Sequence, residues 1–388
     1  AFSTKLLAYE KTPLKGSWGN NILMSGTRLW ANFSDAQSDA EAKGDNLYTH
    51  FIKPYWAGIR KKFYDTYTDF TGGADYVLNK ANLQNQFANG YNFFDMATHG
   101  SPNLWALESG IYNVSDATNM KSNGFTIITT MACQTNQFDS PTYEPCLSEA
   151  FMRNANNGVV AYLGCSRFGW GYSRGTDELG VSLQYEARFY QNLFSSSIEN
   201  KNFGVIVAAA KAAMISNCTY NGAFRWVQFG LNPIGDPEMP IFTSNPLQFS
   251  DATIKLESNE IKVNSAVAGC NICVMSTSDN GASYYSIQKN VKEATFSNIN
   301  GNVSVCITKQ NYIPYLRQVS VVNIQNEVIA ADRNYEADII KIGSAVTSLK
   351  TQGPVVLNSG TIKLKAKKIT IEPTVTISNN VKLTLSNK

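Results

Sequence analysis

The chain has 388 residues, 43% of them hydrophobic and 16% charged, which is enough material for two or three globular domains. Its formal net charge of +3 at pH 7 is too small to indicate nucleic acid or an anionic membrane surface as the partner. The sequence lacks an apolar run of the roughly 18 residues that a membrane-spanning helix needs, so no membrane span is predicted.

Residues 1–243 are predicted to alternate strands and helices. Buried strands are expected at Asn21–Ser25, Tyr91–Ala97, Gly124–Ala132 and Gly158–Gly164. Helices are expected at Ser38–Pro54, Pro145–Asn154, Leu179–Phe194 and Phe203–Ile215. The alternation predicts an α/β domain with a mostly parallel sheet covered by helices.

The composition changes near residues 244–246, where a β-rich region begins. Residues 244–325 are predicted to form an immunoglobulin-like β-sandwich, with strands at Ala252–Leu256, Glu260–Val263, Cys270–Ser276, Tyr284–Gln288 and Val303–Lys309. Residues 326–388 repeat strand-then-turn units, as at Thr361–Ala366 and Ile369–Pro373. These repeated units predict a small repetitive β-rich tail, which we interpret as the start of a solenoid.

The sequence contains two histidines, His50 and His99, so any mechanism that uses a histidine must use one of them. A histidine-rich metal site is therefore excluded, and His50 falls inside a predicted helix. His99 and Cys133 each follow a predicted strand directly, and the carboxyl ends of parallel strands meet at one edge of a sheet. A thiolate there is a nucleophile, an imidazole can take its proton, and the N–H groups of Gly100 and Cys133 can stabilise an oxyanion. The alternative is that Cys133 is a small core residue and His99 a turn residue.

The seven cysteines do not form a recognisable framework. Their number is odd and their spacing irregular, so at least one thiol stays free if the others pair. Cys270 and Cys273 form a single C-x-x-C, but no βαβ pattern surrounds it, which makes a redox role weak.

Several segments in order along the chain resemble the gingipains, cysteine peptidases of the caspase-like clan. The segments are Ala97–Ser101 with Trp105, Thr130–Cys133, Pro145–Arg153, Gly158–Gly164, Trp170 with Gly175–Leu179, and Gly235–Pro240. The resemblance covers about residues 20–325 and implies a secreted bacterial cysteine endopeptidase with Cys133 as nucleophile and His99 as general acid/base. It also implies a caspase-like catalytic domain followed by an immunoglobulin-like domain.

The chain departs from the gingipain pattern in two places. Only about twenty residues precede the first predicted strand, so the first of the family's two caspase-like subdomains is not in this sequence. A cleaved N-terminal subdomain or propeptide is therefore an expected partner. The family's His-orienting Glu falls near Arg28, which is not a carboxylate, so the third catalytic group is in question. The clan also works with a Cys–His dyad.

Substrate selectivity is expected from the residues around the nucleophile. Arginine-specific gingipains use an Asp where this chain has Asp39, which implies cleavage after basic residues. Alternatively, Asp39 serves only the helix dipole and a capping box opened by Ser38. Thr98, Met131 and Trp170 are expected to line the same pocket, although large aromatics such as Trp170 and Trp105 are usually packing residues. 

Arg174 follows Trp170 on the loop that lines this pocket in the family. An Arg there can neutralise Asp39 or favour an acidic or small substrate residue instead.

Three functions remain open from the sequence. The first is cleavage of protein or peptide substrates through a Cys133 thioester, by a protein that is secreted or on the bacterial cell surface. The second is a catalytically silent adhesion protein, which the β-rich C-terminal third would suit, and the third is another cysteine amidase or transpeptidase. None requires a cofactor or a catalytic metal. The Asp and Asn residues around Asp35, Asp45 and Asp139 suggest at most structural Ca²⁺.

Overall fold

A computed structural model describes residues 1–13, 18–30, 39–65, 76–155, 158–173, 178–199, 201–257, 260–277, 283–297, 301–347 and 349–388. The chain divides into two compact units, Ala1–Pro246 and Leu247–Lys388. Within these residues, none of the helices combines the length and apolar character needed to span a bilayer.

The first unit is built on a sheet of seven described strands. Their bounds are β1 Asn21–Gly26, β2 Ile59–Tyr64, β3 Tyr76–Val77, β4 Phe93–Ala97, β8 Thr126–Thr130, β9 Val159–Cys165 and β10 Leu231–Gly235, and a separate small antiparallel sheet holds β5 Gly100–Ser101, β6 Leu104–Ala106 and β7 Ile111–Asn113. The spatial order is β10-β9-β8-β4-β1-β2-β3. All neighbours are parallel except β10 and β9, so the predicted mostly parallel sheet is present.

Helices cover both faces of this sheet. Their bounds are α1 Phe2–Lys11, α2 Asp39–Leu47, α3 Lys80–Asn89, α4 Val114–Thr118, α5 Leu147–Arg153, α6 Val181–Phe194, α7 Phe203–Ala212, α8 Ile215–Tyr220 and α9 Gly222–Gly230. One apolar core packs α1, α2, α6, α7 and α9 on one face, and a second packs α3, α4, α5 and the small sheet on the other. Such a three-layer arrangement buries the central strands on both faces, which is why β4 and β9 are largely apolar in sequence.

The second unit contains two antiparallel sheets and a set of parallel ones. The antiparallel strands are β11 Thr253–Glu257, β12 Glu260–Asn264, β13 Cys270–Thr277, β14 Ser283–Val291, β15 Glu293–Phe296, β16 Asn302–Thr308 and β17 Tyr315–Val319. They form the sheets β11-β12-β15 and β14-β13-β16-β17, whose inward side chains share one core. This is a sandwich of the expected size, and its assignment as immunoglobulin-like stays a prediction.

The tail winds as a three-sided parallel coil. Its strands are β18 Val321–Ile324, β19 Glu327–Ile329, β20 Arg333–Glu336, β21 Ile339–Ile342, β22 Val355–Leu357, β23 Gly360–Lys365, β24 Lys368–Ile371, β25 Val375–Ile377 and β26 Val381–Ser386. They stack as β18-β21-β24, β19-β22-β25 and β20-β23-β26, all in parallel pairs. The repetitive strand-then-turn pattern therefore corresponds to stacked solenoid coils.

The observed boundaries differ from the predicted ones by a few residues. The side chain of Asn245 accepts a hydrogen bond from the backbone N–H of Gly19 at 3.1 Å. The predicted domain junction at residues 244–246 therefore belongs to the first unit. The sandwich and the tail belong to one compact unit, and the tail coil begins at Val321 rather than 326. The division into three domains at 243 and 325 stays a prediction, and Ser38, the predicted cap, lies outside the described residues.

Candidate active site

His99 and Cys133 follow the neighbouring parallel strands β4 and β8. Phe93 to Met96 pair in register with Ile127 to Thr130, so both strands end at the same edge of the sheet. The two side chains line one cavity of about 110 Å³. His99 is exposed and Cys133 is half-buried, so solvent and a substrate can reach both. Both side chains therefore open into one cavity, and their predicted roles as nucleophile and general acid/base stay a prediction.

The imidazole of His99 is oriented by a backbone carbonyl. Its Nε2 lies 2.8 Å from the carbonyl oxygen of Leu29, which can only accept a hydrogen bond. Nε2 therefore carries the hydrogen, and in the neutral ring the lone pair is on Nδ1. Leu29 is the next residue after Arg28, the position near which the resemblance places the family's His-orienting Glu. The sequence reasoning missed this group because a carbonyl has no side-chain signature.

The Leu29 carbonyl is itself held by the chain around it. The backbone N–H of Leu29 donates to Oδ1 of Asp39 at 3.0 Å, and the N–H of Arg28 donates to Oδ2 of Asp65 at 2.8 Å. Thr27 joins this segment to β4, since its N–H donates to the carbonyl of Ala97 at 3.0 Å. Asp39 thus supports the segment that orients His99.

The sulfur of Cys133 is contacted by the segment that follows β9. The backbone N–H of Gly169 lies 3.3 Å from Sγ, close enough to donate to the sulfur. A side chain at Gly169 is excluded, because its Cβ would lie 2.3 Å from the carbonyl oxygen of Met131. The sequence reasoning did not single out Gly169, although the contact needs a glycine there.

Gly100 brings the His99 segment against the Cys133 segment. A Cβ at Gly100 would lie 2.7 Å from Cγ2 of Thr135, 2.9 Å from Cβ of Ala132 and 3.0 Å from the carbonyl oxygen of Cys133. The absence of a side chain is therefore a condition for the approach of thiol and imidazole. The predicted oxyanion role of the Gly100 and Cys133 N–H groups stays a prediction.

Two buried ionisable side chains of α2, Asp39 and Lys43, differ in their relation to the cavity: Lys43 lines it, and Asp39 does not. Asp39 is 1% exposed, and its burial raises the pKa of its carboxyl above the usual value. The hydrogen bond from the Leu29 N–H and the charge of Lys43 oppose this rise without cancelling it. Lys43, one helical turn further along α2, is also 1% exposed and lines the cavity. Its Nζ donates to the carbonyl of Glu178 at 2.9 Å and lies 5.7 Å from the ring centre of Trp30. Lys43 therefore lines the cavity although it was not among the predicted site residues, whereas the predicted Asp39 is not among the lining residues and contacts the N–H of Leu29, which is one of them.

The other predicted pocket residues are distributed as follows. Thr98, Met131 and Trp170 line the cavity, and the Trp170 ring is largely exposed. Arg174 lies outside the described residues. Trp105 is fully buried and packs with Phe94, Tyr112 and Phe151 in the second core, so its role is packing.

The acidic residues suggested for Ca²⁺ are not brought together where they are described. Asp45 pairs with Arg60 and Lys62, and Asp139 pairs with Arg167. Asp35 belongs to a stretch without described coordinates. In the described part of the chain, no three His, Cys, Asp or Glu side chains group closely enough to hold a metal ion. All seven cysteines are free thiols.

Comparison with known proteins places this geometry in a family. The sequence model of peptidase family C25 matches residues 1–242. Lys-gingipain HG66 and Lys-gingipain W83 of Porphyromonas gingivalis are each 26% identical to the chain, over 251 and 259 residues that make up 59% and 60% of it. The chain covers only 14% of the length of these relatives.

Solved structures show the same fold. The crystal structure of the Arg-specific cysteine proteinase gingipain R superposes with a TM-score of 0.63 at 17% identity, covering 82% of this chain and 71% of that one. The complex of Porphyromonas gingivalis RgpB pro- and mature domains gives a TM-score of 0.62 at 16% identity, covering 82% and 73%. With the family model matching more than half of its residues, the chain belongs to peptidase family C25.

Proposed function

We propose that the protein is an endopeptidase that cleaves peptide bonds through a Cys133 thioester, with His99 as general acid and base. The observation that supports the proposal is that both side chains line the same cavity, at the ends of two neighbouring parallel strands. Nδ1 of His99 takes the thiol proton, and the sulfur attacks the carbonyl carbon of the scissile bond. His99 then gives that proton to the leaving amine as the C–N bond breaks, which leaves a thioester.

Water completes the cycle. His99 removes a proton from a water molecule, whose oxygen attacks the thioester carbonyl, and the proton returns to the sulfur as it leaves. The N–H groups of Gly100 and Cys133 would stabilise the oxyanion in both steps. The N–H of Gly169, which lies 3.3 Å from the Cys133 sulfur, would stabilise the thiolate by donating a hydrogen bond to it.

The test combines a variant with thiol labelling. Cys133→Ala should lower kcat/KM on a casein or mixed-peptide substrate by at least about a thousandfold, because the nucleophile is lost. Cys218→Ala, which changes another half-buried thiol of the same unit, is the matched control and should keep activity. A thiol-reactive peptide probe should modify Cys133 faster than the other six cysteines. Equal labelling would indicate a silent surface protein, and turnover of cell-wall amides without peptide cleavage would indicate a different amidase.

The narrower proposal is cleavage after a basic residue whose side chain enters the cavity. It is supported by the buried carboxyl of Asp39, which contacts the N–H of the cavity residue Leu29, and by the relatives named Lys-gingipain. The ammonium of Lys43 opposes it, because a substrate cation reaching Asp39 must displace Lys43. We therefore expect a modest basic preference that Lys43 attenuates.

Two substitutions separate these charges. Lys43→Met should raise the ratio of kcat/KM for Arg over Leu before the scissile bond by about tenfold, since a charge-assisted contact is gained. Asp39→Asn should abolish the preference while its Oδ1 still accepts from the Leu29 N–H, which keeps His99 oriented. Asp39→Ala, which also loses that hydrogen bond, should lower kcat/KM for every substrate. An unchanged Arg/Leu ratio in Asp39→Asn would remove Asp39 from selectivity.

We also propose that the protein acts outside the cytoplasm, secreted or on the bacterial cell surface, after removal of a propeptide. The low charged fraction supports the location, and the solved complex of RgpB pro- and mature domains supports a propeptide. Fractionation of the source cells, with N-terminal sequencing of the extracellular form, tests both. Recovery from the cytosol alone would contradict the proposal.

A further inference from the structure

An open groove lined by aromatic side chains lies beside the catalytic cavity. We call it the aromatic groove; its walls are Phe138, Trp226 and Phe229 and its volume is about 360 Å³. Phe229 is 76% exposed and Phe138 53% exposed. Large apolar side chains exposed together on one concave surface are typical of an interaction site.

The aromatic groove and the catalytic cavity share a wall. After β9 ends at Cys165, Ser166 and Arg167 line the groove, and Gly169 and Trp170 line the cavity. The same segment contacts Cys133, since the N–H of Gly169 lies 3.3 Å from Cys133 Sγ.

The residue after the nucleophile joins the two sites from the other side. The N–H of Gln134 donates to the carbonyl of Arg167 at 2.9 Å. An extended peptide advances about 3.3 Å per residue, so one that reacts at Cys133 reaches the groove within a few residues.

The aromatic groove is held in shape by hydrogen bonds within the chain. Arg167 makes two hydrogen bonds to Asp139, Nη1 to Oδ1 at 2.9 Å and Nη2 to Oδ2 at 2.7 Å, and this pair holds the pKa of Asp139 below its usual value. Trp226 Nε1 donates to the carbonyl of Phe168 at 2.9 Å. A preformed surface of this kind loses little conformational entropy on binding.

The chemistry of the aromatic groove favours an apolar occupant. The polar groups that line the groove already hydrogen-bond to each other. Asn232 Nδ2 donates to Ser166 Oγ at 2.9 Å, and the N–H of Ser166 donates to the carbonyl of Gly230 at 2.7 Å. The Asp139 carboxylate is likewise paired with Arg167. What remains for a ligand is chiefly the faces of the aromatic rings, which stack on aromatic or large apolar side chains.

We propose that the aromatic groove is a second substrate subsite, which binds an aromatic or large apolar side chain a few residues from the one that enters the cavity. This inference rests on the proposed peptidase function. It adds a requirement to the substrate: peptides with such a side chain at one defined distance from the scissile bond are cleaved faster than peptides with Ala there.

The experiment is a positional scan of fluorogenic peptides cleaved by the full chain. With the residue before the scissile bond fixed, Phe, Trp and Ala are placed in turn at each of the other positions. One position should give about tenfold higher kcat/KM for Phe or Trp than for Ala, the effect of partly burying an aromatic side chain. Phe229→Ala and Phe138→Ala should each reduce this ratio.

The control is Tyr220→Ala, which removes a 90% exposed aromatic ring of the same unit that does not line the groove, and it should leave the ratio unchanged. Binding of the same peptides to Cys133→Ala protein, read by fluorescence anisotropy, needs no turnover. Peptides that bind with the aromatic preference but are never cleaved would overturn the peptidase function and keep the subsite. Cleavage without an aromatic preference, or a preference that Phe229→Ala leaves intact, would overturn the subsite alone, and the absence of both binding and cleavage would overturn both.

Discussion

At the scale of single residues, the site depends on how closely two backbone segments approach. Gly100 lies where any side chain would press on Ala132, on Thr135 and on the carbonyl of Cys133. A shift of about 1 Å in a catalytic group costs on the order of a hundredfold in rate. Gly100→Ala should therefore lower kcat/KM by about that factor, because it separates His99 from Cys133.

The matched control for Gly100→Ala is Gly222→Ala, where a Cβ meets no heavy atom within 4 Å. Both variants should keep the wild-type circular dichroism spectrum, and only Gly100→Ala should also slow alkylation of Cys133 by a peptide probe. Wild-type kcat/KM in a folded Gly100→Ala protein would show that the close approach is not required.

The sequence predicted the side chains of this site better than its backbone groups. Cys133 and His99 could be placed because each follows an apolar strand directly and strand ends gather at one edge of a sheet. The carbonyl of Leu29 and the N–H of Gly169 carry no signal of their own, since every residue has these groups. Lys43 was missed because a lysine in a polar helix ordinarily faces solvent, and only the tertiary packing of α2 buries it.

At the scale of elements, apolar strands were predictable and one charged strand was not. β2 carries Arg60 and Lys62, which interrupt its apolar pattern. Both side chains pair with acidic residues of α2, Arg60 with Asp45, and Lys62 with Glu41 and Asp45. The strand is stabilised by a partner distant in sequence, and a local pattern cannot show that partner.

Two cysteines of the sandwich face each other across neighbouring strands. Cys273 of β13 is directly opposite Cys306 of β16, and both are half-buried cysteines that are not joined in a disulfide. Directly opposed residues of antiparallel strands have Cα atoms about 4.5–5.5 Å apart, which lies within the range that disulfides span. Diamide should therefore join Cys273 to Cys306, and a peptide map of the oxidised chain should contain that link.

The control for this link lies on the same strand. Cys270 is buried in the sandwich core and should stay reduced under the same treatment. Cys273→Ser should prevent the loss of the Cys306 thiol, as counted by mass-tagged alkylation. A Cys306 thiol that remains fully titratable in the diamide-treated wild type would show that the two side chains do not meet.

At the scale of the whole molecule, stability should depend on pH through two carboxyls buried in the first unit. Asp95 of β4 and Glu186 of α6 are each 1% exposed. Burial raises the pKa of Asp95 to about 6, and burial together with the charge of Asp95 raises the pKa of Glu186 well above its usual value. The native chain therefore keeps protons that the unfolded chain releases near pH 4.

The sign of the effect follows from proton linkage. Where the native state binds more protons than the unfolded state, the free energy of unfolding falls as pH rises. The stability that the two groups contribute is full below about pH 4, declines through about pH 6 as Asp95 ionises, and declines further as Glu186 ionises. All six tryptophans precede residue 247, so their fluorescence in urea reports on the first unit of the intact chain.

Glu186→Gln removes one of these protons from the balance. The wild type should therefore lose stability between pH 4 and pH 8 more steeply than Glu186→Gln, by up to about 1.4 kcal/mol per pH unit where a single group is responsible. Glu199→Gln makes the same change at an exposed residue and should follow the wild-type profile. Parallel profiles for wild type and Glu186→Gln would show that Glu186 does not retain its proton in the native protein over this pH range.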